Sequence, residues 1–229
     1  MGVRPLHIVP CMRFRTVLFD LDGTLIDHFA AIHRCHVYAL RRLGLREPTL
    51  AEVRAAVGGG LDEAIARLAG QAHVAAALPL FIEHWNATNL DDVTLLPGAR
   101  ELLAALHAAG VRSAVLTNKR GAAARQVCTH LGLVPLLAGV FGANDTPWIK
   151  PDARFVQHVL TTIGGDAATT ALIGDSPYDL ATAKNAGLVF YGVTTGTHTA
   201  AELRAAGTTA IFPDLAAVGR SLAGGAHQS

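Results

Sequence analysis

The sequence predicts an α/β fold: a parallel sheet covered by helices on both faces, with an α-helical cap inserted near its start. Three observations point there. Over the C-terminal two thirds, short apolar runs bounded by turn residues alternate with Ala-rich stretches of helical spacing. One early interval, residues 27–95, shows helical patterns and no good strand pattern. The chain of 229 residues is 51% hydrophobic and 16% charged, a mix able to bury a sizeable core.

The first strand is expected at residues 16–19, an apolar run that stops at Asp20. In the insert, Phe29, Ile32, His36, Leu40 and Leu43 share one helical face before Gly44, and residues 51–57 and 61–68 repeat the pattern around Gly58, Gly59 and Gly60. Those three glycines read as a cap loop facing the site. Beyond Leu95 the alternation resumes, with strands expected at 111–116, 138–141, 171–173, 189–193 and 210–212. Helices are expected between them at 99–109, 122–131, 153–163, 180–186 and 200–206. The chain therefore divides into a core, residues 12–26 and 96–224, and a cap, residues 27–95. Residues 1–11 and 224–229 are expected to lie outside the regular fold, so that translation from Met12 would remove little of it.

Charge and hydropathy exclude several classes. A net charge of +1 leaves no surplus for a nucleic-acid or acidic-membrane partner. The longest runs without polar side chains, such as residues 131–143, are broken by Gly and Pro and fall short of the ~18 residues a bilayer helix needs. The opening segment holds Pro5 and Pro10 and lacks a secretory pattern, and Leu6 stands where a myristoylation signal wants Ser or Thr. A cytoplasmic protein is expected. Cys11, Cys35 and Cys128 are odd in number and far apart, which suits packing rather than a disulfide framework or paired-cysteine zinc. His33 and His36 near Cys35 are explained as parts of a packed helix, since no fourth zinc ligand accompanies them.

The chemistry-bearing residues sit at strand ends, where open α/β sheets bind ligands. Asp20 and Asp22 follow the first strand and precede Gly23. The strand at 111–116 delivers Thr117 and Asn118, and the strand at 171–173 delivers Asp175, with Asp179 four residues on. Lys150 stands just ahead of Pro151, in a chain with 16 arginines and three lysines, at 119, 150 and 184. If the strand ends converge, four carboxylates share one space. Like charges ~4 Å apart repel by about 4 kcal/mol at an effective dielectric near 20, so a compensating cation is required. Mg²⁺ fits, because it prefers hard oxygen ligands and typically takes one or two carboxylates, waters and a phosphate oxygen.

Together these motifs resemble the haloacid dehalogenase-like superfamily, in its phosphoglycolate phosphatase-like branch. The matching segments are DLDGTLID at 20–27, TN at 117–118, KP at 150–151 and GDSPYD at 174–179, in that order over nearly the whole chain past Met12. The resemblance implies a Rossmann-like core and a Mg²⁺-dependent phosphatase acting on a small phosphorylated metabolite. By it, Asp20 would be the nucleophile that forms an aspartyl-phosphate, and Asp22 would protonate the leaving oxygen and then activate water. Asp20, the Asp22 main-chain carbonyl and Asp175 would hold the metal, with Asp179 supporting them through water or Lys150. Thr117, Asn118 and Lys150 would bind the transferring phosphoryl group.

Other chemistries use the same scaffold. A dehalogenase lacks an acid at the position of Asp22, and a phosphonate hydrolase of this superfamily needs a cap lysine, whereas no lysine occurs in residues 27–95. A sugar-phosphate mutase would use the same core residues and is the alternative enzyme. From another class, a phospho-Asp switch or binding module would be labelled without turnover; receivers of that kind are about half this length and lack a cap.

Overall fold

The structure is a computed structural model that describes residues 13–224. The expectations for residues 1–11, Cys11 included, and for 225–229 lie outside the described residues. Six strands form the main sheet: β1 (Thr16–Phe19), β4 (Arg112–Arg120), β5 (Gly139–Ala143), β6 (Thr170–Gly174), β7 (Val189–Val193) and β8 (Ile211–Phe212). All pairings are parallel and the order is β5-β4-β1-β6-β7-β8. β1 thus lies inside the sheet, between β4 and β6, with Phe19 in register with Val115 on one side and Ile173 on the other. Strand direction and order together put the C-terminal ends of β1, β4 and β6 side by side at the place where the order reverses, which is where such sheets accept ligands.

A strand buried on both faces must be apolar at consecutive positions, not alternate ones. TVLF does this: Val17 and Phe19 join one cluster, and Leu18 the other. The first cluster is covered by α5 (Ala99–Ala108), α6 (Gly121–His130) and α10 (Leu215–Gly224), through Leu103, Val127 and Val218 among others. The second is covered by α7 (Ala153–Ile163) and α8 (Pro177–Ala186), through Phe155, Val159 and Leu180. Phe155 is fully buried, and truncating such a side chain to Ala costs about 3–5 kcal/mol. Helix α8 ends on Gly187 at φ +68°, a left-handed conformation that suits a residue without a side chain. A short helix α9 (Ala200–Ala205) connects β7 to β8.

Residues 29–88 carry α1 (Phe29–Arg42), α2 (Leu50–Ala56), α3 (Leu61–Ala69) and α4 (Val74–Thr88), which share a separate apolar cluster built on Ile32, Cys35, Leu40, Val53, Ile65, Phe81 and Trp85. Cys35 and Cys128 are free and buried, one in this cluster and one in the sheet's core, as packing residues.

Several details differ from the sequence expectation. The interval expected to lack strands is bounded by a two-residue antiparallel pair, β2 (Ile26–Asp27) with β3 (Thr94–Leu95). Strand β4 runs four residues further than expected, to Arg120, because its pairing with β5 shifts register between Leu116 and Arg120 instead of ending. Helices α4 and α10 were not among the expected helices; α10 runs through Gly224, which was expected outside the regular fold, because its apolar residues fill the first cluster.

Candidate active site

The loop after β1 is shaped by Gly23, at φ +84°. A Cβ there would lie 2.7 Å from the Gly196 backbone and 2.8 Å from an Asp175 carboxylate oxygen, so only glycine allows this approach. That approach brings three distant segments together. Asp20 and Asp22 follow β1, Thr117 and Asn118 lie on the extended β4, and Asp175 follows β6; all five are buried. Lys150, 2% exposed, enters between them and donates to Asp20 Oδ1 and Asp179 Oδ1, each at 2.7 Å.

Asp175 is held from the opposite side. Its Oδ2 accepts from Thr197 N at 2.7 Å and Thr197 Oγ1 at 2.9 Å, and its Oδ1 accepts from Thr24 Oγ1 at 3.3 Å. Asp179 is fixed by the start of α8, where Ser176 and Asp179 form a reciprocal cap: Ser176 Oγ and N both donate to Asp179 Oδ2, at 2.6 and 3.1 Å.

One carboxylate oxygen from each of Asp20, Asp175 and Asp179 lies within 4.8 Å of the other two. Burial pushes the Asp20 carboxyl up to about 6 against the pull of Lys150, with Asp179 and Asp22 adding to the rise. It pushes Asp175 up to about 7, with help from Asp179 and Asp20. Burial alone would pull Lys150 down, but attraction to Asp179 and Asp20 outweighs it, and the ammonium is held more tightly than usual. Three clustered carboxylates thus face one ammonium, a surplus of negative charge that a hard divalent cation would neutralise. The donor set is all oxygen, as Mg²⁺ prefers, so the residues present fit that ion.

Asp22 turns elsewhere. Both its carboxylate oxygens accept from Lys119 Nζ at 3.0 Å, and the same ammonium lies 4.4 Å from the Trp85 ring centre. His28, at the N-cap of α1, places Nδ1 3.7 Å from Asp22 Oδ1 while its Nε2 contacts the Asn89 carbonyl at 2.5 Å. A carbonyl only accepts, so Nε2 carries the proton and Nδ1 presents a lone pair. Burial, reinforced by Lys119, lowers His28 to about 4, so the ring is neutral.

Thr117 and Asn118 differ in how they are engaged. The Thr117 hydroxyl accepts from Lys119 N at 3.2 Å, leaving its own hydrogen for a ligand. Asn118 Nδ2 donates to the carbonyls of Gly58 and Lys150 at 2.9 and 3.0 Å, and Oδ1 accepts from Lys150 N at 2.8 Å. Both of its N–H bonds are committed to backbone, so a phosphate contact from Asn118 would run through its main-chain N–H. The side chain instead ties Lys150 to the Gly58 loop.

Every residue expected from the sequence therefore lies in this one region, with Asp20, Lys150, Asp175 and Asp179 in direct contact or within reach. Sequence reasoning assigned no role to Lys119, His28, Thr24 or Thr197. Lys119 carried a signal, as the third residue of a Thr-Asn-Lys run and one of three lysines. Thr197 stood in a Thr-rich loop just after β7, another strand end at the same edge.

Above these residues is a cavity of about 310 Å³, within the ~300–1,000 Å³ common for small-ligand sites. Asp20, Asp22 and Thr117 line it from the sheet, and Ile32, His36, Leu61, Phe81 and Trp85 from the helices of residues 29–88.

Comparison with known proteins gives the family. A model of the family described as haloacid dehalogenase-like hydrolase matches residues 17–193. A phosphoglycolate phosphatase of Rhodospirillum rubrum is 32% identical over 216 residues, covering 90% of this chain and 89% of that protein. A 5′-nucleotidase of Pseudomonas aeruginosa is 32% identical over 209 residues, covering 90% and 95%. Among solved structures, one described as a predicted phosphoglycolate phosphatase from Haemophilus somnus superposes with a TM-score of 0.85 at 25% identity, over 92% of this chain and 99% of that one.

Proposed function

This chain belongs to the haloacid dehalogenase-like hydrolase family and is a phosphatase, and from that premise we propose that it hydrolyses a small phosphorylated metabolite, with Mg²⁺, through an aspartyl-phosphate on Asp20. The observation that carries this reading is the buried set of Asp20, Asp175 and Asp179 around Lys150, of which Asp20 also lines the cavity. Phosphoglycolate, named in one relative, and a nucleoside monophosphate, implied by the name of another, are both small esters of this kind. The helices of residues 27–95 serve as a cap over a core of residues 12–26 and 96–224.

In this mechanism an Asp20 carboxylate oxygen attacks phosphorus in line with the ester oxygen. The P–O bond to the alcohol breaks as Asp22 delivers its proton to that oxygen, and the alcohol leaves. Asp22, now a carboxylate, takes a proton from water; the water oxygen attacks phosphorus, and the bond to Asp20 breaks to release phosphate and restore the nucleophile. Lys119 fixes where the Asp22 oxygens sit. Lys150 and the Thr117 hydroxyl stabilise charge on the outer phosphoryl oxygens, and Asn118 keeps Lys150 in place. Asp20, Asp175 and the Asp22 carbonyl would hold Mg²⁺ with Asp179 behind them, and when bound it would neutralise phosphoryl charge. Among the described residues no helix is long and apolar enough to cross a membrane, and a cytoplasmic location suits the two buried free thiols.

The test is phosphate release from p-nitrophenyl phosphate with and without EDTA. Sustained release that stops on chelation and returns with Mg²⁺ is expected; turnover indifferent to EDTA would overturn the metal assignment, and stoichiometric labelling without turnover would overturn hydrolysis.

A further inference from the structure

The cavity wall contributed by the helices of residues 29–88 is aromatic and aliphatic. Phe81 and Trp85 stand with ring centres 5.9 Å apart and planes 12° from parallel, and His36 leans on Phe81 with ring centres 4.7 Å apart. Ile32 and Leu61 complete this wall. Trp85 Nε1 is closed to solvent and unpartnered, so Trp85 offers the cavity ring surface rather than a hydrogen-bonding atom, while the buried His36 backs Phe81.

Charge on the wall is accounted for. Lys119 is already bonded to both oxygens of Asp22 and sits over Trp85, and Arg120 lies exposed at the rim. A leaving group bearing a carboxylate would be stripped of water against apolar surface without a free buried cation to meet it, which is unfavourable unless the charge is paired. A polyol would lose hydrogen bonds to water for each hydroxyl that met this wall. A flat apolar ring would lose nothing comparable and would gain area against the Phe81 and Trp85 rings. The exposed Asn86 and Gln126, at the mouth, leave room for polar groups directed outward.

We propose that the alcohol released by this enzyme is uncharged and carries a flat ring, which seats against Phe81 and Trp85 while the phosphoryl group lies on Asp20. This rests on the phosphatase reading above and narrows its substrate class, placing glycolate among the poorer leaving groups despite its appearance in the names of relatives.

The experiment compares benzyl phosphate, ethyl phosphate and 2-phosphoglycolate, whose alcohols are of similar acidity, with full-length enzyme and Mg²⁺. Benzyl phosphate is expected to exceed both others in kcat/KM by about tenfold or more, the scale on which a pocket discriminates by size and polarity. Phe81→Ala should shrink the benzyl-to-ethyl ratio. Because Phe81 is also a packing residue, the half-buried Leu61 provides a second variant: Leu61→Arg puts a cation into the wall and should move the ratio of benzyl phosphate to phosphoglycolate toward phosphoglycolate. Equal or better turnover of phosphoglycolate by the wild type, or an unmoved ratio in Leu61→Arg, overturns the ring-bearing substrate while leaving the phosphatase reading intact. Release of phosphate from none of the three overturns both.

Discussion

Three buried carboxylates and one ammonium set the behaviour of individual residues here. In the proposed mechanism Asp20→Asn replaces the nucleophile with a neutral amide, so turnover should fall by more than ~10³-fold with the circular dichroism spectrum unchanged. Activity near wild type in that variant would remove Asp20 from the chemistry. Asp175 permits a test by pH. Burial and its acidic neighbours raise it to about 7 in the folded chain, against ~3.9 for an ordinary Asp. Between about pH 4 and pH 7 the folded state therefore holds a proton that the unfolded state has released, and stability declines as pH rises through that window. In EDTA, the wild type should lose on the order of 2 kcal/mol more than Asp175→Asn between about pH 4.5 and pH 7, measured by urea unfolding. His28 and His36, held neutral by burial with values near 4, act in the opposite direction in both proteins and cancel from the difference. Parallel profiles would refute the buried-charge account. Saturating Mg²⁺ should flatten the wild-type decline, since a ligand that binds only the folded state stabilises it.

Secondary-structure elements carry these residues with different degrees of fixity. Asp179 is placed by the first turn of α8, where it and Ser176 cap each other. Ser176→Ala should cost about 1–2 kcal/mol of stability, as lost caps do, and should also raise the Mg²⁺ concentration needed for half-maximal activity. A stability loss with unchanged metal dependence would make the cap structural only. The elements legible in the sequence were those with one consistent period: β7 and α7 fall at their expected residues because four strand formers interrupted only by Gly192 and an amphipathic stripe leave little choice. The pair β2 and β3 was not legible, since two residues carry no period. Helix α4 blends into the preceding turn and contains Pro79, which disguises its start. The site divides in the same way. Asp20, Asp22, Lys150 and Asp175 were readable because each follows a strand, and parallel strands align their ends. Lys119 and Thr197 were not, because their roles depend on which distant carboxylate each side chain meets, a matter of loop return and rotamer.

At the scale of the molecule, the helices of residues 29–88 touch the sheet's edge through a small polar contact as well as through the cavity. Tyr178, between the site residues Asp175 and Asp179, donates to Glu63 at 2.5 Å and accepts from Arg67 at 2.7 Å, and its ring packs against Gly58. Tyr178→Phe deletes both hydrogen bonds and keeps the ring. Each bond is worth about 1 kcal/mol, so KM should rise by roughly three- to tenfold while the single-turnover rate at saturating substrate stays within about twofold. A drop in the single-turnover rate instead would place Tyr178 in the chemistry. The chain meanwhile leaves and re-enters the sheet at one spot, where Ile26 pairs with Leu95, Asp27 with Thr94, and Leu96 N donates to the Leu25 carbonyl at 3.0 Å. A detour of more than sixty residues thus begins and finishes within a single ribbon's width. Such a junction behaves like a socket: a different helical cassette grafted between those two ends would leave the strand ladder's alignment undisturbed, and selectivity could be exchanged while the phosphate-handling machinery stayed as it is.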